Sequence, residues 1–314
     1  MLYDFRKVPM QIDAHQHIWT EPLLDALAAR SCLPFIRRTE DGLTVLHSAN
    51  ERPYLIDVAS ECSGERARLV SADGADLAVI AISSPIGIEA LPHADAHEII
   101  SAHLDGVFAL GPPFAAWGPI AVDAPEPADV DEVLARGCVG VSLPASAITG
   151  REALELIAPV LDRIQSRGVP LFVHPGGSTT PGAAEASLVE PLWWRALTDY
   201  VSQMQAAWLT FAAHGRRELP RLKVLFAMLA GGAPLQNERL EARGGPAIDL
   251  HDPLAYYDTS SYGAGIIETV AGWVGPSQLV YGSDRPVIDP VPTGREVELL
   301  TNAASLLRVA EVMA

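Results

Sequence analysis

Short apolar runs alternate with amphipathic stretches along nearly the whole 314-residue chain. Eight of the runs are read as strands: Met10–Ala14, Leu77–Ile82, Gly106–Leu110, Val139–Leu143, Pro170–Val173, Lys223–Ala227, Ala255–Tyr257 and Gln278–Tyr281. Most are rich in Val, Ile and Leu without strict polar alternation, the pattern of strands covered on both faces. Between them lie helical segments. In Glu152–Arg167 the residues Leu154, Ile157, Leu161 and Ile164 recur at spacings of three and four. Thr149-x-x-Glu152 reads as a capping box at its start, and Gly168 as its stop. Asp129–Ala135 and Pro191–Leu219 are further helical stretches. Eight strands with intervening helices predict a (β/α)₈ TIM barrel. The main rival, a doubly wound sheet, lacks its GxGxxG after the first strand.

One connection breaks the rhythm. Between His17 and Asp76 the chain is long enough to hold an insertion, and its middle, Phe35 to His47, reads as a β-hairpin turning at Asp41-Gly42. This insertion, about residues 33–62, is expected to lie over the barrel mouth, because loops leaving the C-terminal strand ends carry function. Length divided by about 150 residues suggests two domains, yet α/β barrels of this size fold as one. Residues 1–314 are therefore read as a single barrel domain.

Composition narrows the class of function. Lys and Arg total 22 against 39 Asp and Glu, a formal net charge of −17. Such an acidic chain argues against nucleic acid or an anionic membrane as partner. With 49% hydrophobic residues it can bury a large core. No apolar stretch reaches about 18 residues, and the charged N-terminal segment has no secretory apolar core. Three widely spaced cysteines, Cys32, Cys62 and Cys138, form no CxxC pair and read as reduced thiols. The expectation is a cytoplasmic enzyme acting on a small molecule, with a homodimer possible.

Three local signals carry chemistry. The first is Asp13-Ala-His15-Gln-His17-Ile-Trp19: residues two apart on an extended segment share a face, so His15 and His17 point into one cavity. The second is His174, where an apolar strand meets Pro175-Gly-Gly. The third is Asp284 in Tyr-Gly-Ser-Asp-Arg-Pro, just past the last strand. Taken singly, these also read as loop histidines, as a hydrogen-bonded rim histidine (the commoner reading of His174) and as a helix cap or turn former. Together they fall at the same end of the first, fifth and eighth predicted strands, the active-site face of such a barrel. Three imidazoles and a carboxylate there suit one divalent metal ion, Zn²⁺ first, with Mn²⁺, Fe²⁺ or Co²⁺ open. Asp284 is then also placed to act as general base toward a metal-activated water.

These motifs resemble the amidohydrolase superfamily, specifically its amidohydrolase-related branch of metal-dependent hydrolases, lactonases and decarboxylases similar to aminocarboxymuconate semialdehyde decarboxylase. The resemblance spans almost the full chain: DAHQH at 13–17, FVHPGG at 172–177, LPRLKVLFA at 219–227, YYDTSS at 256–261, YGSDRP at 281–286 and TNAASLL at 301–307. It implies the same barrel and metal-ligand roles for His15, His17, His174 and Asp284. The fourth predicted strand offers no lysine to bridge a second ion, so a single metal is implied. One position departs. Where the branch has a histidine after the sixth strand, this chain has Met228, which neither donates nor accepts a proton usefully. His214, 14 residues earlier, is a poor substitute.

The leading expectation is therefore a mononuclear metal-dependent hydrolase of an ester, lactone or amide in a small cyclic or aromatic, carboxylated substrate. The first alternative is non-oxidative decarboxylation of an aromatic or unsaturated acid. The second, motivated by Met228, is an impaired barrel that binds a small molecule. Trp19, which keeps the parity of the histidines, Met228 and Arg285 are candidates for lining the substrate pocket, with a core tryptophan and a rim ion pair as the plainer readings of Trp19 and Arg285. Arg37 and Arg38 are read as solvated. His93 and His97, at helical spacing but with no third ligand nearby in sequence, are read as exposed, and Asp258 as structural.

Overall fold

The computed structural model describes residues 9–49, 51–176 and 190–307. Strand β1 (Ile12–Gln16) is followed by three short strands, β2 (Phe35–Arg38), β3 (Thr44–His47) and β4 (Tyr54–Ile56), which form a separate antiparallel sheet. The remaining strands are β5 (Leu77–Ile80), β6 (Phe114–Pro119), β7 (Gly140–Pro144), β8 (Leu171–His174), β9 (Val224–Phe226), β10 (Ala255–Asp258) and β11 (Leu279–Val280). With β1 they make one eight-stranded sheet, ordered β1-β5-β6-β7-β8-β9-β10-β11, in which every pairing is parallel. Its two ends meet. Ala14 N–H donates to the Tyr281 carbonyl at 2.9 Å, Asp284 N–H to His15 at 2.9 Å and His17 N–H to Arg285 at 2.7 Å. This is a (β/α)₈ TIM barrel.

The helices are α1 (Glu21–Ala28), α2 (Ser63–Ala72), α3 (His93–Leu110), α4 (Pro127–Ala135), α5 (Arg151–Arg167), α6 (Trp194–Leu197), α7 (Asp199–Thr210), α8 (Arg216–Glu218), α9 (Asn237–Ala242), α10 (Ala264–Val274) and α11 (Glu296–Leu307). In α5 the side chains of Leu154, Ile157, Val160, Leu161 and Ile164 are buried, and Gly168 ends the helix in the left-handed region at φ 69°. Inside the barrel, Trp117 stacks on Phe172 with ring centroids 5.3 Å apart, and its Nε1–H donates to the Ala14 carbonyl at 2.9 Å. None of the described helices is long and apolar enough to cross a membrane.

Three expectations from the sequence are corrected. The third barrel strand is Phe114–Pro119, whereas Gly106–Leu110 is the last part of α3. Ala96, Ile99, Ile100, His103, Leu104 and Val107 are buried at spacings of three and four, so the apparent strand is the continuation of a helical stripe. The capping box at Thr149 does not form. The N-cap is Gly150, at φ 90°, and the Thr149 hydroxyl donates to the Ala145 carbonyl. The stretch 191–219 is broken into α6, α7 and α8, with a wide turn over Phe211–Gly215.

The insertion does contain the hairpin, with Phe35 opposite His47 and Arg38 opposite Thr44; Gly42 takes the left-handed conformation, φ 81°, that its turn requires. A third strand, β4, adds to it. Trp19 sits 6.5 Å from Tyr54 of β4 between ring centroids, and its N–H donates to Glu61 at 3.0 Å. Arg66, 1% exposed, ties this region to β1 by donating to Glu61, to Gln16 Oε1 and to the His17 carbonyl. Arg37 lies over the Phe35 ring and Arg38 pairs with Asp25, so both are engaged within the insertion and α1.

The loop after β5 buries a carboxyl group. Glu89 is 0% exposed; Ser84 donates to its Oε1 and no described group meets Oε2. Burial pushes its pKa up to about 7, against the smaller opposing effect of the Ser84 hydrogen bond. A carboxyl raised on folding contributes stability below its unfolded pKa and loses it as pH rises through the folded value. Glu89→Gln should therefore gain on the wild type by up to roughly 3 kcal/mol between pH 5 and pH 8. Denaturant midpoints at the two pH values check this, and equal pH dependence of both proteins would refute it.

Candidate metal centre

Every strand of the barrel delivers its last residues to one face. β1 brings His15 on the strand and His17 one residue beyond its end; β8 ends on His174; Asp284 lies four residues past β11. One ligand atom from each of these four residues lies within 4.8 Å of all the others. His15 Nε2 is 3.1 Å from His17 Nε2, and Asp284 Oδ1 is 3.2 Å from His17 Nε2 and 3.5 Å from His15 Nε2. The three imidazoles stand edge to face, with centroids 4.9–5.0 Å apart and interplanar angles of 86–89°. All three histidines are buried, while the Asp284 side chain is 17% exposed and opens the set to the mouth.

The other ring nitrogens explain why these faces converge. His15 Nδ1–H donates to Asp258 Oδ2 at 2.7 Å, His17 Nδ1–H to the Ala81 carbonyl at 2.9 Å and His174 Nδ1–H to the Pro175 carbonyl at 2.8 Å. With each Nδ1 carrying a proton, each Nε2 is the ligating atom, and an outer partner fixes each ring. The electrostatics favour a cation among them. Burial lowers the His15 pKa, but Asp258, Asp284 and Asp13 outweigh it and push it up to about 9. Burial, followed by the neighbouring His15 and His17, keeps His174 well below the ordinary range and so neutral. Two imidazole nitrogens 3.1 Å apart, with a third imidazole and a carboxylate alongside, form the three-nitrogen, one-oxygen donor set of a divalent ion. The residues present fit such an ion.

The outer layer is denser than motif reading suggested. Asp258, 0% exposed, receives His15 on one oxygen, and on the other the Ser260 N–H, the Ser260 hydroxyl and the Met228 N–H. It is thus the positioning residue for His15. Its signal in the sequence was an aspartate ending the seventh barrel strand, inside the YYDTSS motif. Asp13 performs a similar service for the backbone, accepting the His15 and Ser283 N–H groups. Gly282 packs where a Cβ would stand 2.9 Å from Asp258 Cγ and 3.0 Å from His15 Cβ, so only glycine lets the β11 loop pass this pair.

Met228 opens a left-handed turn. Residues 228–232 all have positive φ, from 44° to 76°, although Met228, Leu229 and Ala230 are not glycine. Such residues cost about 1–2 kcal/mol each. Here the Met228 N–H is held by Asp258, and Leu229 and Ala230 are buried. Met228 itself is half-buried and packs against the core. The turn thus reaches the metal-centre network through its backbone. His214 is exposed on the wide turn after α7 and supplies nothing here.

Arg285 is a correction. Its guanidinium donates twice to Asp73, at 2.7 and 3.1 Å, and once to Asp289 at 2.9 Å. It is the rim ion pair and not a free clamp for a substrate carboxylate. Trp19 is 8% exposed and lies between the histidine segment and the insertion.

No protein-family model matches the sequence, and no curated protein does. Solved structures match it end to end. The chain is similar to IDCase from Metarhizium anisopliae, with TM-score 0.75 and 16% identity over 97% of this chain and 98% of that one. It is also similar to 5-carboxyvanillate decarboxylase from Sphingomonas paucimobilis, with TM-score 0.70 and 17% identity over 95% and 99%. A third is the dihydroxybenzoic acid decarboxylase of Polaromonas sp. JS666, solved with manganese and 2-nitroresorcinol; TM-score is 0.68 and identity 16% over 96% and 98%. At these identities the likeness establishes the fold. It also corrects the leading expectation. The same barrel, matched along its whole length, serves decarboxylases, which overturns hydrolysis of an ester, lactone or amide as the leading reading.

Proposed function

We propose that this chain is a metal-dependent, non-oxidative decarboxylase of an aromatic or unsaturated carboxylic acid, and a member of the amidohydrolase-related branch. The metal dependence of the reading rests on the convergence of three Nδ1-anchored imidazoles and Asp284 on one point at the C-terminal face of the barrel. The choice of decarboxylation rests on the full-length likeness to solved decarboxylases. His15, His17 and His174 would hold the ion, with Asp284 as the fourth, more exposed ligand. Manganese is the first ion to test, because the Polaromonas decarboxylase was solved with it, and zinc the second. When bound, the ion supplies positive charge that fixes the substrate carboxylate or a neighbouring oxygen.

The chain's own residues do the rest. Asp258 orients His15, and the Ala81 and Pro175 carbonyls orient the other two rings. Decarboxylation breaks the bond from ring carbon to carboxylate and leaves an electron pair that must take up a proton. It consumes no water and no oxidant. Of the four proposed ligand residues Asp284 is the one open to the mouth; with Oδ1 facing His15 and His17, its Oδ2 is assigned to take a proton from solvent and pass it to the carbon. With Met228 half-buried against the core, the left-handed turn contributes no proton carrier, and the assignment falls on Asp284.

The test is CO₂ release from a panel of aromatic acids that includes 5-carboxyvanillate and 2,6-dihydroxybenzoate, with manganese-loaded and zinc-loaded protein. Metal-dependent release of CO₂ with formation of the decarboxylated product is the expected result. Saturable binding of these acids with no release under either metal would instead establish the small-molecule binding barrel that Met228 suggested.

A further inference from the structure

A second set of ligating side chains stands on the outside of the barrel, away from the metal centre. His93 and His97 occupy one face of α3 with rings stacked 6.2 Å apart at 23°. Helix α4 presents Asp129 and Glu132 opposite them. His93 Nε2 is 3.3 Å from Asp129 Oδ2, and His97 Nε2 is 2.9 Å from Glu132 Oε1. The four side chains line a cleft between the helices with a cavity of about 20 Å³, room for one water or ion. Arg136 also lines this cleft, but its guanidinium is committed to Asp105 and to Ser101.

We propose that His93, His97, Asp129 and Glu132 form a second, peripheral site for a divalent transition metal such as Zn²⁺, clamping α3 to α4. Two histidines four residues apart on a helix present their imidazoles side by side, a recurrent chelating arrangement. Two donors bound to one ion at about 2.1 Å each stand roughly 3.0–3.4 Å apart. Each histidine–carboxylate pair already has close to that separation, with a proton between its atoms where the ion would sit. The two pairs do not yet share one point, and the outer pair, with His97 47% and Glu132 51% exposed, is the half that would rotate inward on binding. The inner pair, with Asp129 15% exposed and also accepting the Glu126 N–H, is the fixed half. Two imidazoles with two carboxylates suit zinc, cobalt or nickel, whereas calcium and magnesium prefer all-oxygen sets. The site is independent of the proposed reaction.

The experiment is equilibrium dialysis of the full chain against micromolar free Zn²⁺, followed by metal analysis. Wild type should hold two ions, and His93→Ala/His97→Ala one, with CO₂ release unchanged. To isolate the peripheral ion, His174→Ala is used to remove the catalytic one without stranding a buried charge. That variant should still hold one ion and gain thermal stability from Zn²⁺; Asp129→Asn/Glu132→Gln added to it should weaken the binding at least tenfold. A His174→Ala variant that binds no ion, or a second ion retained after His93 and His97 are replaced, would overturn the proposal. The second of those outcomes would place the ion elsewhere, the exposed Cys32 and Cys62 being the first thiols to examine.

Discussion

Asp284→Asn should keep the divalent-ion content near the wild-type level at saturating metal and lower CO₂ release by about a thousandfold, within the range of a lost acid–base group. The substitution is chosen for three physical reasons. Asn retains a side-chain oxygen where Asp284 Oδ1 now faces His15 and His17 at 3.5 and 3.2 Å. It also tolerates the backbone, since Asp284 sits at φ 57°, where Asn and Asp are enriched and most other residues are strained. What it cannot do is carry a proton. Alanine would remove the ligand oxygen and strain the backbone together, so its effect would not separate binding from chemistry. Headspace CO₂ at saturating substrate, paired with metal analysis of the same samples, measures both. Activity within tenfold of wild type would mean that the proton reaches the carbon from another group.

Much of this was visible before any coordinates. Strands buried on both faces read as apolar runs, and the barrel follows from their alternation with helices. The His15/His17 parity needs only the two-residue period of a strand; His174 marks itself by ending a barrel strand, and Asp284 by following the last one closely. What escaped was set by distant partners. The same Arg285 that looked free beside the site finds Asp73, 212 positions away, and is used up. Asp258 acquires its role from His15, 243 positions away. His93 and His97 looked isolated along the sequence because their hydrogen-bond partners, Asp129 and Glu132, come from the next helix, 36 and 35 positions on. The one misplaced barrel strand failed for a local reason. Gly106–Leu110 is apolar enough for either period, and only the preceding stripe from Ala96 shows which one it continues.

The choice between reactions shows the reach of a donor set. Three imidazoles and an aspartate serve water activation and carboxylate fixation equally, so the ligands themselves do not choose. Met228 suggested an impaired barrel only on the assumption that the chemistry needs a histidine at that turn. The structure weakens that assumption, because the turn engages the centre by its backbone: the Met228 N–H helps hold Asp258, which holds His15. A side chain can change there without disturbing the ligands.

The stability of the centre should be as sensitive as its chemistry. His15→Ala removes the partner of a carboxylate that is 0% exposed, and breaking such a buried pair costs about 3–5 kcal/mol. Burial alone would raise the Asp258 pKa, and it is chiefly His15, then Ser260, that keeps it below the ordinary range. Without His15 the Ser260 and Met228 donors remain, but all of them serve one oxygen, and Oδ2 is left bare. Adding Asp258→Asn should therefore rescue His15→Ala, recovering at least 1 kcal/mol because the stranded charge is gone, a coupling typical of contacting residues. Metal binding should not return, since the ligand itself is missing. Denaturant melts of the two single variants and the double variant, with metal analysis of each, close the cycle. Losses that simply add would mean that Asp258 and His15 are not coupled and that the ring is oriented by something else. Recovery of stability without recovery of metal would separate the two duties of His15, as counter-charge to Asp258 through Nδ1 and as ligand through Nε2.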